Sequence, residues 1–347
     1  MNLWGDKMQH TTYWHIDDCL GASRGRFFAE GYRRVERMIR EVRLDAATDW
    51  RIVARASLHY PPDWSCKATG QLVPHLSSID ALLIACDLIE AYLLAATTMS
   101  TDERRRAWIC GFKMLAGSQP TERLEEFDVC ARPIDTQEVV GALGTHRTVF
   151  ECRVASIKLS VTTEHNGALK PQPREIAAER CSDLLGPDCA RYLGSHYRHR
   201  KQEISEIRIG EDGESVEARV ATPPIEVGED YGLGGWYHPT LSCIEVIAAL
   251  AQLAQVLLYT WDNLSRDRSN TLWMRSVWMS CRSPYHPVEL PALARVGTRH
   301  RNVVELGGRQ WRTAELHGKL LDFTVGAKLA HVLPDTVPAP KVLVGAS

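Results

Sequence analysis

"PHLSSIDALLIACDLIEAYLLAA" (74–96) and "PTLSCIEVIAALAQLAQVLLYT" (239–260) decide how this chain is read. Each opens on a proline, passes through a serine, reaches a carboxylate six residues after the proline, and runs on as an apolar stretch. They begin 165 residues apart. The stretches are apolar nearly all round with one narrow polar stripe, which predicts two largely buried helices over 77–97 and 242–260. The stripe also repeats: Asp87 and Glu90 in the first copy answer to Gln252 and Gln255 in the second.

The repeat extends outward from the helices. "EVRL" (41–44) matches "EIRI" (206–209), and "WRIVARASLHYPP" (50–62) matches "SVEARVATPP" (215–224). Both members of the second pair alternate polar and apolar residues, as half-buried strands do, and both end in Pro-Pro. Downstream, "WICGFKMLAGSQP" (108–120) aligns with "LWMRSVWMSCRSP" (272–284). Further strands are expected in 148–163 and 311–330. The chain therefore reads as a tandem duplication. Its fold class is α+β, a double hotdog in which each unit wraps a long central helix in an antiparallel sheet. The expected division is an N-terminal segment 1–36, a first unit 37–165, a Pro-rich and then charged connector 166–203, a second unit 204–335 and a tail 336–347.

Composition restricts function. The 347 residues carry a formal net charge of −2 and 44% hydrophobic residues, so no nucleic-acid or membrane partner is expected. The first residues lack the basic-then-apolar order of a signal peptide, which points to the cytoplasm. Ten cysteines are scattered without a CxxC pair, so no metal and no disulfide framework is expected. "HYRHR" (196–200) reads as a solvated basic connector rather than a metal site. "YGLGGW" (231–236) lacks the strand–GxGxxG–helix context of a nucleotide site. No cofactor is expected, and there is no GxSxG of an α/β-hydrolase.

Two readings attach to the serine–acid phrase. Ser77-Ser-Ile-Asp80 and Ser242-Cys-Ile-Glu245 fit the capping box, in which serine and acid satisfy free first-turn amides. The same helix N-termini offer N–H groups to an anionic oxygen. The proline-to-acid spacing resembles hotdog fatty-acid dehydratases, whose acid follows the proline of the helix turn by six residues. That resemblance makes Asp80 and Glu245 candidate catalytic residues, with Glu245 preferred for its better-matched flanks. The dehydratase histidine lies fourteen residues before the acid; Cys66 and Tyr231 stand there instead, which argues against dehydration. His75 and His238 lie at the helix starts and are further candidate catalytic residues, the general base being expected in the carboxylate.

"IDDCLGASRGRFFAEGYRRV" (16–35) resembles the opening of the AvrD (avirulence D) family: Ile-Asp-Asp, Leu-Gly, Arg-Phe-Phe, Gly-Tyr-Arg-Arg-Val. That resemblance implies a hotdog protein related to AfsA-type butenolide synthases. The implied reaction joins a β-ketoacyl thioester, on acyl carrier protein or CoA, to a ketose or ketose phosphate, giving a syringolide-like or butenolide-type metabolite. Such chemistry needs a base, oxyanion donors and an acyl channel. Lys113, Arg275 and Arg282 are candidate phosphate ligands, with Tyr231 and Cys66 as further substrate contacts; Arg26, Arg33 and Arg34 read equally as surface groups. The reacting centre is expected between the units, with His75 or the Cys66 region facing Glu245, and His238 or the Tyr231 region facing Asp80. The alternatives are a hotdog dehydratase or thioesterase, and an acyl-binding protein in which both acids only cap helices. A homodimer is compatible with each.

Overall fold

The computed structural model describes residues 11–334 apart from 48, 68–69, 224–230 and 287. The expected tail at 336–347 lies outside the described residues. Two long helices form where the apolar stretches predict them, α1 at Ser78–Ala96 and α2 at Cys243–Trp261. Seventeen of the 19 residues of α1 are buried. By length and composition α2 could cross a membrane, but 83% of its apolar window is covered by the fold itself.

Each helix is framed by six strands. In the first unit these are β1 (Glu36–Asp45), β2 (Arg51–His59), β3 (Trp108–Leu115), β4 (Phe127–Glu138), β5 (Thr145–Val154) and β6 (Ile157–Asn166). In the second they are β7 (Glu203–Ile209), β8 (Ser215–Ala221), β9 (Trp273–Ser280), β10 (Ala292–Leu306), β11 (Arg309–Leu320) and β12 (Phe323–Val332). All join one antiparallel sheet in the order β7-β8-β10-β11-β12-β9-β3-β6-β5-β4-β2-β1. The two units thus have the same strand order and meet where β3 pairs β9. There Lys113 lies opposite Trp278, with Phe112 opposite Met279 and Met114 opposite Val277 on either side. Phe112 and Val277 are equivalent positions, as are Met114 and Met279, so a pseudo-two-fold axis passes through this pair.

The repeated Glu-Val-Arg-Leu and Glu-Ile-Arg-Ile phrases have a structural cause. Both strands slip register there, between Arg40 and Arg43 and between Ser205 and Arg208. Glu41 and Glu206 sit at positive φ, 52° and 51°. An extra residue in a bulge re-aims the strand and increases its twist, so both units bend their first strand alike.

The duplication is longer than the helix and strand repeats alone. Thr12–His15 pairs with β7 of the second unit, and Ala177–Arg180 pairs with β1 of the first. Short helices follow each, Ile16–Leu20 and Cys181–Leu185, ended by Gly21 and Gly186 at positive φ. Segments 12–35 and 177–200 are therefore equivalent arms, each closing the outer edge of the other unit. Their tyrosines, Tyr32 and Tyr197, stack with ring centroids 6.2 Å apart. Sequence reading separates these arms into an N-terminal segment and a connector because their identities are few. Asp18/Asp183, Leu-Gly, Arg26/Arg191, Tyr32/Tyr197 and Arg33/Arg198 are what survives.

Candidate functional site

At the start of α1 the Ser77 hydroxyl accepts the Asp80 amide (3.1 Å) and donates to the Asp80 carboxylate (2.5 Å). Tyr60, at the end of the strand region leading to the helix, donates to the same Oδ2. Asp80 is 1% exposed, and its Oδ1 has no hydrogen-bond partner among the described residues. Burial pushes its carboxyl above the usual carboxylate range, opposed by the Ser77 and Tyr60 bonds. Ser77 thus caps the helix and Asp80 holds Ser77 from behind; the reciprocal half of the expected capping box, the acid on a first-turn amide, is not formed among the described residues.

In front of Ser77 lies a cavity of about 840 Å³. Ser77, Ser78, His75 and Leu76 form the end nearest α1, and Gln255 and Tyr259 of α2 line the facing wall. Phe27 and Phe28 come from the N-terminal arm, Trp64 and Lys67 from the loop before α1, and Trp273 to Arg275 from β9. Both units therefore build it. His75 packs between Trp64 and Trp273, at 5.8 and 5.0 Å between ring centroids. Its Nδ1 is 3.1 Å from the Val73 carbonyl. A carbonyl can only accept, so Nδ1 carries the proton and Nε2 keeps its lone pair. Lys67 Nζ lies 2.9 Å from the carbonyl and hydroxyl of Ser269 and also bonds the Asn270 carbonyl. Burial and neighbouring Arg266 bring its amine down to about 7. Arg266 is held by the Cys66 and Gly25 carbonyls and by Ser65.

The second unit has the equivalent site, and it is filled. Residues 165 positions later line a space of only about 50 Å³: Tyr192, Leu193, Thr240, Leu241, Ser242, Cys243, Cys281 and His286, with Trp108 and Ile109 in place of Trp273 and Met274. Glu245 is fully buried and completes a capping box, accepting the Ser242 amide at 2.7 Å and the Ser242 hydroxyl. Tyr192 donates to it at 3.1 Å, and Arg200, also fully buried, lies 3.4 Å away. His238 stacks against Tyr192 at 5.2 Å; burial, with Arg200 and His196 nearby, lowers it to about 4.

The polar stripes of the two helices differ most. Where α2 carries Gln252 and Gln255, of which Gln255 lines the open cavity, α1 carries Asp87 and Glu90, and these are neutralised internally. Arg191 binds Asp87 (2.8 Å), Glu90 (3.3 Å) and Asp188 (2.8 Å), while Arg37 binds Asp87 at 3.1 Å. Arg191, Arg37, Asp87 and Glu90 are all at least nine-tenths buried. Charges taken out of water persist only when paired this completely.

The remaining sequence candidates scatter. Arg275 lines the open cavity, its guanidinium 3.4 Å from the Gly117 carbonyl. Lys113 and Arg282 are exposed and line neither space. Exposed Cys66 accepts Arg266 through its carbonyl, and Tyr231 is 38% exposed beneath Arg105. The crossed facing expected of the histidines is not found. His238 stands with Glu245 of its own unit, through Tyr192. The approach loop of the second unit does reach α1, but at Glu90 rather than Asp80: a Cβ on Gly232 would come 2.8 Å from a Glu90 oxygen. Arg26 is not a surface group; it is 3% exposed and paired with Asp17. Sequence reading passed over Lys67, Arg266, Trp273 and Gln255. The charge difference between the equivalent stripes Asp87/Glu90 and Gln252/Gln255 was a signal for Gln255; Lys67, Arg266 and Trp273 carried none.

The family model described as Pseudomonas avirulence D protein (AvrD) matches residues 11–334. No curated protein matches the chain. Among solved structures, the chain is similar to a tesB protein of Mycobacterium avium subspecies paratuberculosis, at 11% identity and TM-score 0.38, covering 84% of this chain and 96% of that one. It is similar to an inactive mutant of the CurJ dehydratase at 12% identity and TM-score 0.36, covering 84% and 95%. An acyl-ACP thioesterase from Bacteroides thetaiotaomicron gives 8% identity and TM-score 0.36, covering 74% and 90%.

Proposed function

Because the chain belongs to the AvrD family, we propose that it is a double hotdog enzyme that joins a β-ketoacyl thioester to a ketose or ketose phosphate in the cavity between its two units. The division proposed is two hotdog units, each with its arm, rather than units separated by a passive connector. One observation carries the reading. Of the two equivalent sites, the one at Ser77 is open at about 840 Å³ and the one at Ser242 is reduced to about 50 Å³. A pocket of several hundred Å³ holds a small ligand. The smaller space has room for only a water or two.

The roles follow from position. The Ser78 and Ile79 amides lie in the first turn, where no intrahelical acceptor exists. They would polarise the thioester carbonyl and hold the oxyanion that forms when a ketose hydroxyl attacks. His75 takes the hydroxyl proton on its free Nε2 and returns it to the departing thiolate. A second proton removal, from the carbon between the two carbonyls, lets that carbon attack the ketose carbonyl and close the ring. Arg266 and Arg275 supply the cationic wall for a phosphate, joined by Lys67 when it is protonated. The apolar lining from Phe27, Phe28, Leu72 and Tyr259 suits the acyl chain. Asp80 is assigned to hold Ser77 and the helix start rather than to exchange protons with substrate. Acyl carrier protein or CoA is the proposed donor.

A hotdog thioesterase is the second reading, favoured by the same helix-start amides, with water as acceptor in place of the ketose. Incubation with a β-ketoacyl carrier protein and several ketoses, followed by mass spectrometry, separates the two. A condensed acyl-sugar that disappears in His75→Ala supports the proposal. Free β-keto acid with no sugar adduct supports the thioesterase, and thioester bound but unchanged leaves only acyl binding.

A further inference from the structure

The closed second site contains a side-chain cluster that its open counterpart lacks. Cys281 follows the end of β9, His286 lies in the next loop, and Asp322 sits in the turn between β11 and β12. Their ligand atoms all lie within 4.8 Å of one another. Cys281 Sγ is 3.4 Å from His286 Nε2 and 3.4 Å from Asp322 Oδ1, and the same Nε2 contacts the same Oδ1. Cys281 and His286 are buried; Asp322 is partly so. In the first unit the equivalent residues are Ala116, Thr121 and Ser156, which line the open cavity; Thr121 and Ser156 hydrogen-bond at 2.8 Å but offer no nitrogen, thiol or carboxylate ligand.

We propose that Cys281, His286 and Asp322 form a binding site for a transition-metal dication of the zinc class, which pins the second site shut. A catalytic Cys–His–Asp arrangement is excluded by connectivity, because thiol and carboxylate meet the same ring nitrogen. A relay needs them on opposite nitrogens. Convergence of all three on one point is instead what a shared ion requires. The two sulfur edges of 3.4 Å match the roughly 3.4–3.6 Å edges of a tetrahedron with Zn–S of about 2.3 Å and Zn–N of about 2.0–2.1 Å; the third pair, His286 Nε2 and Asp322 Oδ1, is in direct contact and must spread apart to admit the ion. A mixed sulfur, nitrogen and oxygen set selects zinc-like ions over magnesium or calcium.

The ligands are also held from behind. The Arg282 amide donates to Asp322 Oδ2 at 3.1 Å, leaving Oδ1 for the ion. The His286 amide donates to Thr240 Oγ1 at 2.7 Å, and the Leu241 amide donates to the His286 carbonyl, so His286 is tied to the segment entering α2. Such outer contacts fix ligand orientation. The adjoining space of about 50 Å³ admits one water as fourth ligand. On binding, the thiol proton leaves to solvent as the metal–sulfur bond forms. Thiolate and carboxylate then balance the dication, so the buried cluster is neutral.

The full chain, stripped with a chelator and titrated with cobalt(II), tests this. The expected result is one equivalent bound, with visible d–d bands and a near-ultraviolet thiolate-to-cobalt band. Cys281→Ser should lose the thiolate band, and Asp322→Asn should bind at least about tenfold more weakly, since even outer contacts cost that much. Zinc should raise the melting temperature of the wild type and not of Cys281→Ser. If Cys281→Ser fails to fold, Asp322→Asn with the wild-type spectrum still decides. Absence of bound cobalt in the folded wild type, or a thiolate band undiminished in Cys281→Ser, would overturn the proposal. The three groups would then be joined by protons alone.

Discussion

Replacing Arg191 with methionine tests what distinguishes the two helices. Arg191 is 2% exposed and donates to Asp87 and Glu90 on α1 and to Asp188 on its own arm. Breaking a buried ion pair by removing one partner costs about 3–5 kcal/mol, because the other charge is left uncompensated. Here Arg37 still pairs Asp87 at 3.1 Å, so the uncompensated group is chiefly Glu90. The loss should therefore fall near the lower end, about 3 kcal/mol, read as a shift of the urea midpoint at unchanged slope. The pH dependence gives a second reading. Glu90 is already raised by burial, with Arg191 as the main opposing influence. Without Arg191 it rises further, and a raised carboxyl takes up a proton as pH falls. The penalty of the variant should thus be larger at about pH 8 than at about pH 5. Glu90→Gln/Arg191→Met, which removes the uncompensated carboxylate and keeps the Arg37–Asp87 pair, should recover most of the loss. A cost below about 1 kcal/mol for Arg191→Met, or a penalty that grows on acidification, would refute the reasoning.

The amine of Lys67, lowered to about 7, should react with an acylating reagent with a midpoint near that pH, read by peptide mass spectrometry; a midpoint near the ordinary lysine value of about 10.4 contradicts the burial described. Because its folded pKa lies below the unfolded one, the unfolded chain holds more protons between the two values, and its contribution to stability rises with pH across that window. His238, lowered to about 4, gives the same sign in a lower window: stability lost as pH falls from about 6.5 towards 4 should be reduced in His238→Gln, and an unchanged acid midpoint would speak against it. Glu245→Gln leaves buried Arg200 without its carboxylate and should cost about 3 kcal/mol while condensing activity per folded molecule persists; loss of activity at full stability would return Glu245 to the reacting centre.

The duplication, both helices and the four strands nearest them were legible because identical packing duties kept identical patterns. The serine–acid phrase was legible as a cap because both serines take a first-turn amide; the full box with the acid forms only at Ser242 and Glu245. Strands β4 and β10 were missed because much of their length faces solvent with charged and polar residues, as in "RPIDTQE" and "RHRNVVEL". The arms were missed because Tyr32 and Tyr197 are kept by a stacking partner in the other arm, which no local pattern reveals. Preference for Glu245 over Asp80 rested on flanking residues. What distinguishes the two helices is instead long-range: Arg191 meets Asp87 and Glu90 across 104 and 101 residues, and Tyr192 and Arg200 cover Glu245. Lys67 carried no motif at all; its amine is lowered first by burial and then by Arg266, 199 residues away in the sequence.

The most direct test of the central claim is a crystal structure of the full chain with a non-hydrolysable β-ketoacyl pantetheine analogue. The account predicts the acyl carbonyl oxygen at the Ser78 and Ile79 amides, the reacting carbon beside His75 Nε2, and the chain running between Phe28 and Tyr259. An analogue bound instead at the Ser242 start of α2, with Tyr192 and Arg200 swung away from Glu245, would contradict it.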